Sequence, residues 1–340
     1  MAAGTPGSVA LMVAFEGNVR AVAFSPDGTR VAGGGDDTVV RVRTVGTGPI
    51  LDIPAEGFVS SIVYSPDGAL LAIADLDQIF VRDAKSGAVV WQGPIEPQNS
   101  VDHLAFTPDG ATLVAATEEF LATFHATDGT AGPRIHLGQQ IAGLDVSRDS
   151  KRLAIALDQR HGGNHQNAGA AIVYDIATLT EVWRLVPDNA VYDVAFVPPG
   201  TNVLCGSADG TARMFDPVGK LELWNITAEA SHLAVDGTGV WTVVGGSDDS
   251  ARMVEAESGV EKFRSTHDGA VTQVAFAPNG RWFASAGIDL VLHVVSVKTG
   301  KDLYANTTIN EVLPMRFSPD SHWLGVGTFG QLLVFDNGAV

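Results

Sequence analysis

The sequence predicts an all-β fold: an eight-bladed β-propeller with four antiparallel strands per blade, spanning residues 1–340 as one domain. Three observations predict it. A turn motif recurs eight times, the copies lie near 41 residues apart, and the last copy lacks a fourth strand that the N-terminus can supply.

The motif is an apolar-small-Pro-Asp-Gly turn. It stands as Phe24-Ser25-Pro26-Asp27-Gly28, Tyr64-Ser65-Pro66-Asp67-Gly68 and Phe106-Thr107-Pro108-Asp109-Gly110. It returns as Phe276-Ala277-Pro278-Asn279-Gly280 and Phe317-Ser318-Pro319-Asp320-Ser321. Weaker copies begin at Val146, Phe196 and Val235. The first residues, at 24, 64, 106, 146, 196, 235, 276 and 317, are separated by 40, 42, 40, 50, 39, 41 and 41 positions. Pro pre-sets φ at the first turn position, Asp bonds the local backbone, and Gly supplies the positive φ that follows.

Each anchor ends a strand such as Val19–Phe24 and precedes a nearly all-apolar one such as Leu70–Ala74. A short acidic turn then leads to a third strand, as in Thr211–Asp216. A second Gly turn, as at Ser86-Gly87, leads to the fourth, as in Ala88–Trp91. The eighth repeat stops after its third strand, Gln331–Asp336, and residues 9–14 form an orphan strand before the first anchor. Pairing the two ends closes the ring and leaves no open sheet edge between them.

Composition agrees. Apolar residues make up 45% and charged residues 18%, with 38 Gly and 16 Pro, which suits short buried strands and tight turns. The formal charge is −18, from 39 acidic and 21 basic side chains. Such a surface repels phosphate backbones and anionic lipid, so no nucleic-acid or membrane partner is expected. It favours a basic partner, or serves only as a solubilising surface. Cys205, the one cysteine, excludes an intramolecular disulfide and reads as a buried thiol. The N-terminus lacks the charged start of a secretory signal, and no apolar run reaches the ~18 residues of a membrane helix. The expectation is a cytoplasmic monomer.

These repeats resemble the WD-repeat family over essentially the whole chain. The Trp-Asp dipeptide is nowhere intact: Tyr174-Asp175, Phe215-Asp216 and Phe335-Asp336 stand in its place, and Arg43, Ala126 or Ser296 elsewhere. The Gly-His before the first strand survives only as His267. The resemblance therefore implies a rigid platform for partner proteins, with packing rather than a repeated Asp-His-Ser-Trp network holding most blades.

In such a fold, loops between strands four and one, and between strands two and three, share the face that opens onto the central channel. Counting back three positions from each anchor gives Ala21, Ser61, His103, Gly143, Asp193, His232, Gln273 and Pro314. Counting back four gives Arg20, Ser60, Asp102, Ala142, Tyr192, Ser231, Thr272 and Leu313. Polar groups gather in repeats three, five and six. The 50-residue spacing adds a polar insertion, 158–169, on the same face of repeat four, with Arg160, His161 and His165. Loops on a rigid scaffold are where function concentrates.

Arg20, Asp102, His103, Arg160, His161, His165, Tyr192, Asp193 and His232 are thus the candidate partner- or ligand-binding residues. His103, His161, His165 and His232 are of the right type for a metal, but no tight ligand spacing is present and no metal or other cofactor is expected. Asp145 and Arg316 sit one residue before their anchors, where the other repeats have Ala or Val, and read either as a ligand tunnel or as hydrated channel residues. No nucleophile elbow, phosphate loop or CxxC pair is present, so no catalytic residue is assigned. The expected function is a non-catalytic scaffold binding an unidentified protein at the channel-side face. The alternative is a small-molecule- or metal-binding propeller, possibly an enzyme, built on the His/Asp cluster.

Overall fold

The computed structural model describes residues 5–46, 48–95, 100–158, 169–308 and 310–338. The described residues form thirty strands and no helix. Each repeat folds as read from its turns. In the second, Val59–Tyr64, Leu70–Asp75, Gln78–Asp83 and Val89–Pro94 pair in chain order as an antiparallel sheet. The first strand of each repeat lines the channel and the last forms the outer rim.

Burial follows from this radial order. Middle strands are covered on both faces by neighbouring sheets, so they read as apolar runs; Leu71, Ala72, Ile73 and Ala74 are all buried. Outer strands alternate instead, as in Glu261–Thr266, because one face meets solvent. The core is consequently a series of apolar layers between successive sheets.

One expectation is corrected. The strands hydrogen-bond into seven sheets, six of four strands and one of six, so blades counted as sheets number seven and not eight. The reason lies at the seam. Residues 9–14 and 19–24 belong to a single element, Val9–Phe24, and the second and third strands of the last repeat to another, Trp323–Asp336. Met12 pairs with Leu333, Asn18 pairs with Phe329, and Val19 pairs with Gly35. The ladder therefore runs on from the last repeat into the first, where other repeats separate. The expected closure of the ring by residues 9–14 on the last repeat is present in this pairing.

The anchor turn has a second part that the motif did not reveal. Its small residue is usually a hydroxyl: Ser65 Oγ donates to Asp67 Oδ1 (2.6 Å) and accepts from Leu70 N (2.9 Å), while Ala69 N donates to the same carboxylate (3.0 Å). Thr107–Asp109 and Ser147–Asp149 repeat the arrangement. The Ser65 hydroxyl, then the Ala69 amide, hold the Asp67 carboxyl below the usual carboxylate range.

At the rim, an outer-strand aromatic reaches the next repeat. The Trp91 and Trp224 indoles donate to Ala126 O (2.8 Å) and Ala256 O (2.9 Å). Each ring covers the glycine of its neighbour's second turn, where a Cβ on Gly129 or Gly259 would lie 2.6 or 2.8 Å from the indole. Phe263 over Gly300 and Tyr304 over Gly7 are the same device.

Candidate functional site

The channel-side ends of repeats three to six enclose a cavity of about 840 Å³. Innermost strands supply Asp102, His103, Tyr192, Ser231 and His232, the ends of second strands supply Asp158 and Ser207, and loops supply Asp209, Glu229 and Ser247. It opens into the channel proper, a space of about 1110 Å³ reached by Arg20, Asp145, Asp193 and Arg316. A β-bulge is the cause: Asp102, Tyr192 and Ser231 are each the extra residue of a register shift near the start of an innermost strand. The shift breaks the alternation there and lets the consecutive residues Asp102 and His103, and Ser231 and His232, line the same cavity.

Four of the nine sequence-selected residues, Asp102, His103, Tyr192 and His232, therefore share one cavity wall. Asp193 lies deeper in the channel, and its carboxylate is committed: it accepts from Val194 N and from Leu233 N of the next repeat, both at 2.9 Å. Asp145 does the same, accepting from Val146 N (2.9 Å) and Phe196 N (2.7 Å). These are ties between neighbouring innermost strands, whose channel edges otherwise leave amides without a ladder partner. Ser61 ties the second repeat to Leu104 N of the third (3.2 Å), and the His103 ring is hydrogen-bonded to the Ile141 backbone.

Arg20 sits elsewhere on the channel wall, paired with Asp36 and 5.6 Å from the Phe58 ring centroid. Arg160, His161 and His165 lie outside the described residues. Among the described residues, no group of three or more His, Cys, Asp or Glu side chains is arranged to hold a metal ion. Arg316 and Asp145 form no ion pair, although the Arg316 charge acts on Asp145, Asp193 and His103 across the channel.

Burial sets the protonation states. It pushes the Asp102 carboxyl up to about 6, aided by the nearby Glu118 charge. It pushes Asp145 to about 6 and Asp193 to about 7, against the opposing pull of their amide donors and Arg316. Burial lowers His103, and lowers His232 to about 4, so both imidazoles are neutral at neutral pH. Among the described residues, no hydrogen-bond partner meets the Asp102 carboxylate or the His232 ring. Both are presented to the cavity. Cys205 is fully buried and its thiol is pushed up to about 12, which leaves it no nucleophilic role.

Position counting missed Asp158, Asp209 and Glu229. Asp158 opens the 158–169 insertion, which was assigned to this face, whereas Asp209 stands in a turn read only as a strand marker and Glu229 lies in a loop that position counting does not reach. His267, the surviving family histidine, is buried: Nδ1 lies 3.0 Å from Asp289 Oδ2 and Nε2 lies 2.9 Å from Ser285 Oγ. Val295 occupies the position of the tryptophan that would complete a tetrad, so this repeat keeps a triad.

Comparison with known proteins accords with the geometry. The family described as WD domain, G-beta repeat matches residues 10–43, 181–216 and 260–295. The second and third of these segments begin on an outer strand and end on the third strand of the next repeat, and the first begins on the closing strand. No curated protein sequence matches the chain. Among solved structures, the C-terminal WD40 domain of Sif2 superposes with a TM-score of 0.82 at 14% identity, covering 98% of both chains. Saccharomyces cerevisiae Sqt1 gives 0.80 at 14% identity, covering 97% of this chain and 99% of its own. The Dos1 propeller gives 0.80 at 15%, covering 98% and 96%. At such identities the likeness establishes the fold alone. Three segments of the chain match the WD-repeat family model, and the fold is a β-propeller similar to those of WD40 proteins.

Proposed function

We propose that this protein is a non-catalytic scaffold whose channel-side face binds a partner protein, with a basic segment of that partner entering the cavity between repeats three and six. WD-repeat propellers generally mediate protein–protein interaction, and that supports the class of function. The observation that carries the location is the charge of the cavity wall. Asp102, Asp158, Asp209 and Glu229 line it, and no Lys or Arg does so among the described residues.

The carboxylates differ in availability. Asp209 is paired with Arg213 at 2.7 Å, and Glu229 accepts from Ser247 Oγ at 2.6 Å. Asp102 has no such partner and is half-buried, so a cation arriving beside it gains an interaction that water screens poorly. The net charge of −18 steers basic partners toward the molecule and keeps phosphate backbones away. Neutral His103 and His232 add hydrogen-bonding groups without opposing a cation.

The test is capture of partners by the immobilised protein, with the Asp102→Lys/Glu229→Lys variant beside it. The proposal expects specific partners whose cross-links map to the cavity rim and whose capture fails with the variant. Partners retained equally by both forms, or cross-linked only to outer strands, would refute this location.

A further inference from the structure

The channel beneath the acidic cavity holds a base that no acid answers. Asp102, His103, Tyr192 and His232 line both spaces, so cavity and channel are continuous. Nearer the anchor turns, Arg316 enters the channel from the innermost strand of the eighth repeat, and its side chain is exposed there.

A guanidinium carries five N–H donors. Among the described residues one hydrogen bond is made by Arg316, from Nη1 to the oxygen of its own neighbour Met315 (3.1 Å). Asp145 and Asp193 feel its charge across the channel, but each carboxylate already accepts from two backbone amides and neither forms an ion pair with it. The two unusual channel residues therefore differ: the acid is spent on backbone and the base is not. The largely buried His232 ring, unpartnered among the described residues, stands where cavity meets channel. Gln273, at the matching position of the seventh repeat, lines the channel with its amide equally unspent among the described residues.

The order of charges restricts what can enter. A ligand arriving through the cavity meets acid first and base second. Asp102 stands four positions before its anchor and Arg316 one, and three positions of strand rise roughly 10 Å. Two residues of extended chain and one long side chain cover that depth. A lone anion is repelled at the acidic wall, and a basic side chain by itself leaves Arg316 unanswered. A dianion would crowd Asp145 and Asp193 beside a single guanidinium, whereas a carboxylate brings one charge and fits the planar fork. A chain end supplies that carboxylate without having to turn back between the walls.

We propose that the partner segment is a C-terminal tail, with a basic side chain beside Asp102 and, two residues later, the free terminal carboxylate on Arg316. The inference rests on the acidic cavity as the partner site and adds which part of the partner enters it. His232 and Gln273 lie where they can hydrogen-bond the last peptide groups.

The experiment is isothermal titration calorimetry with an N-acetylated hexapeptide of glycine and serine that carries arginine third from its C-terminus, as the free acid and as the C-terminal amide. The wild-type protein is expected to bind the acid at least tenfold more tightly than the amide (~1.4 kcal/mol). Arg316→Gln is expected to bring the acid down to the affinity of the amide. Asp102→Asn is expected to weaken both forms at least roughly tenfold and to keep the preference for the acid. Equal wild-type binding of acid and amide, or a preference that survives Arg316→Gln, overturns the chain-end inference and leaves the cavity standing as the partner site. No saturable binding of the acid overturns it as well. Unchanged binding of both forms by Asp102→Asn refutes the cavity reading and this inference with it.

Discussion

From the second repeat to the sixth, neighbouring innermost strands are tied by side chains across the channel wall. Among the described residues, no such tie joins them from the sixth repeat round to the second. On the first arc Ser61, His103, Asp145 and Asp193 each bond the next repeat's backbone. On the second, the matching positions hold His232, Gln273, Pro314 and Ala21, and cohesion comes from the long seam ladder and the His267 triad. The acidic cavity opens on the tied arc. A binding site benefits from walls that stay in register, and carboxylate ties provide this where the cavity interrupts packing.

The comparison breaks first at the seam. Leu332 is fully buried opposite Val13, so Leu332→Ala is expected to cost about 3 kcal/mol, read as a fall in urea midpoint with unchanged slope. A cost below ~1 kcal/mol would show that the ends contribute little to closure. The triad comes next. His267→Ala strands the buried Ser285 hydroxyl and removes one of the three donors to the Asp289 carboxylate, which keeps the Asp268 and Val291 amides, at an expected cost of ~2 kcal/mol by the same measurement.

The ties themselves are sharper than global stability as a probe. In amide exchange, Leu233, held by Asp193, is expected to be protected relative to Val274, the equivalent residue one repeat on, which has no side-chain acceptor. Asp193→Ala should speed Leu233 roughly fivefold, in line with one hydrogen bond of ~1 kcal/mol, and leave Val274 unchanged. Equal rates in the wild-type protein would remove the distinction between the arcs.

The smallest effect is on pH. The Asp193 and Asp145 carboxyls titrate at about 7 and about 6 when folded, above their unfolded values. Their stabilising contribution is therefore fully present below the ordinary carboxylate range and is lost as pH rises toward 7. His232 is lowered to about 4, so its contribution is present above about 6.5 and is lost as pH falls. The two limbs oppose each other between pH ~4 and ~7 and flatten the wild-type profile. Asp193→Asn should expose the histidine limb, making stability fall on acidification, whereas His232→Gln should make it rise. Parallel profiles for both variants would contradict the assignments.

Much of this architecture was legible because turn chemistry is local. Pro26-Asp27-Gly28 and its copies announce the period, and the missing fourth strand announces closure. The sheet count was not legible, because it depends on Asn18 pairing with Phe329, residues more than 300 positions apart. Counting back from anchors found Asp102, His103, Tyr192 and His232, since the anchors mark where each innermost strand begins. The bulge that brings consecutive residues to one cavity was not legible, because it appears only in the pairing with the second strand. It could not show that Asp193 and His103 are taken up by neighbouring backbone, which depends on the spacing between repeats. The aromatic sockets were hidden for the same reason: Trp91 and Gly129 reveal their relation only when adjacent repeats are stacked.

The central claim, that the acidic cavity on the tied arc is the partner-binding site, is tested most directly by hydrogen–deuterium exchange of the propeller with and without a captured partner. The account predicts protection concentrated at residues 140–142, 207–210 and 229–232, the backbone around the cavity. Protection confined to outer strands, with those three segments unchanged, would contradict it.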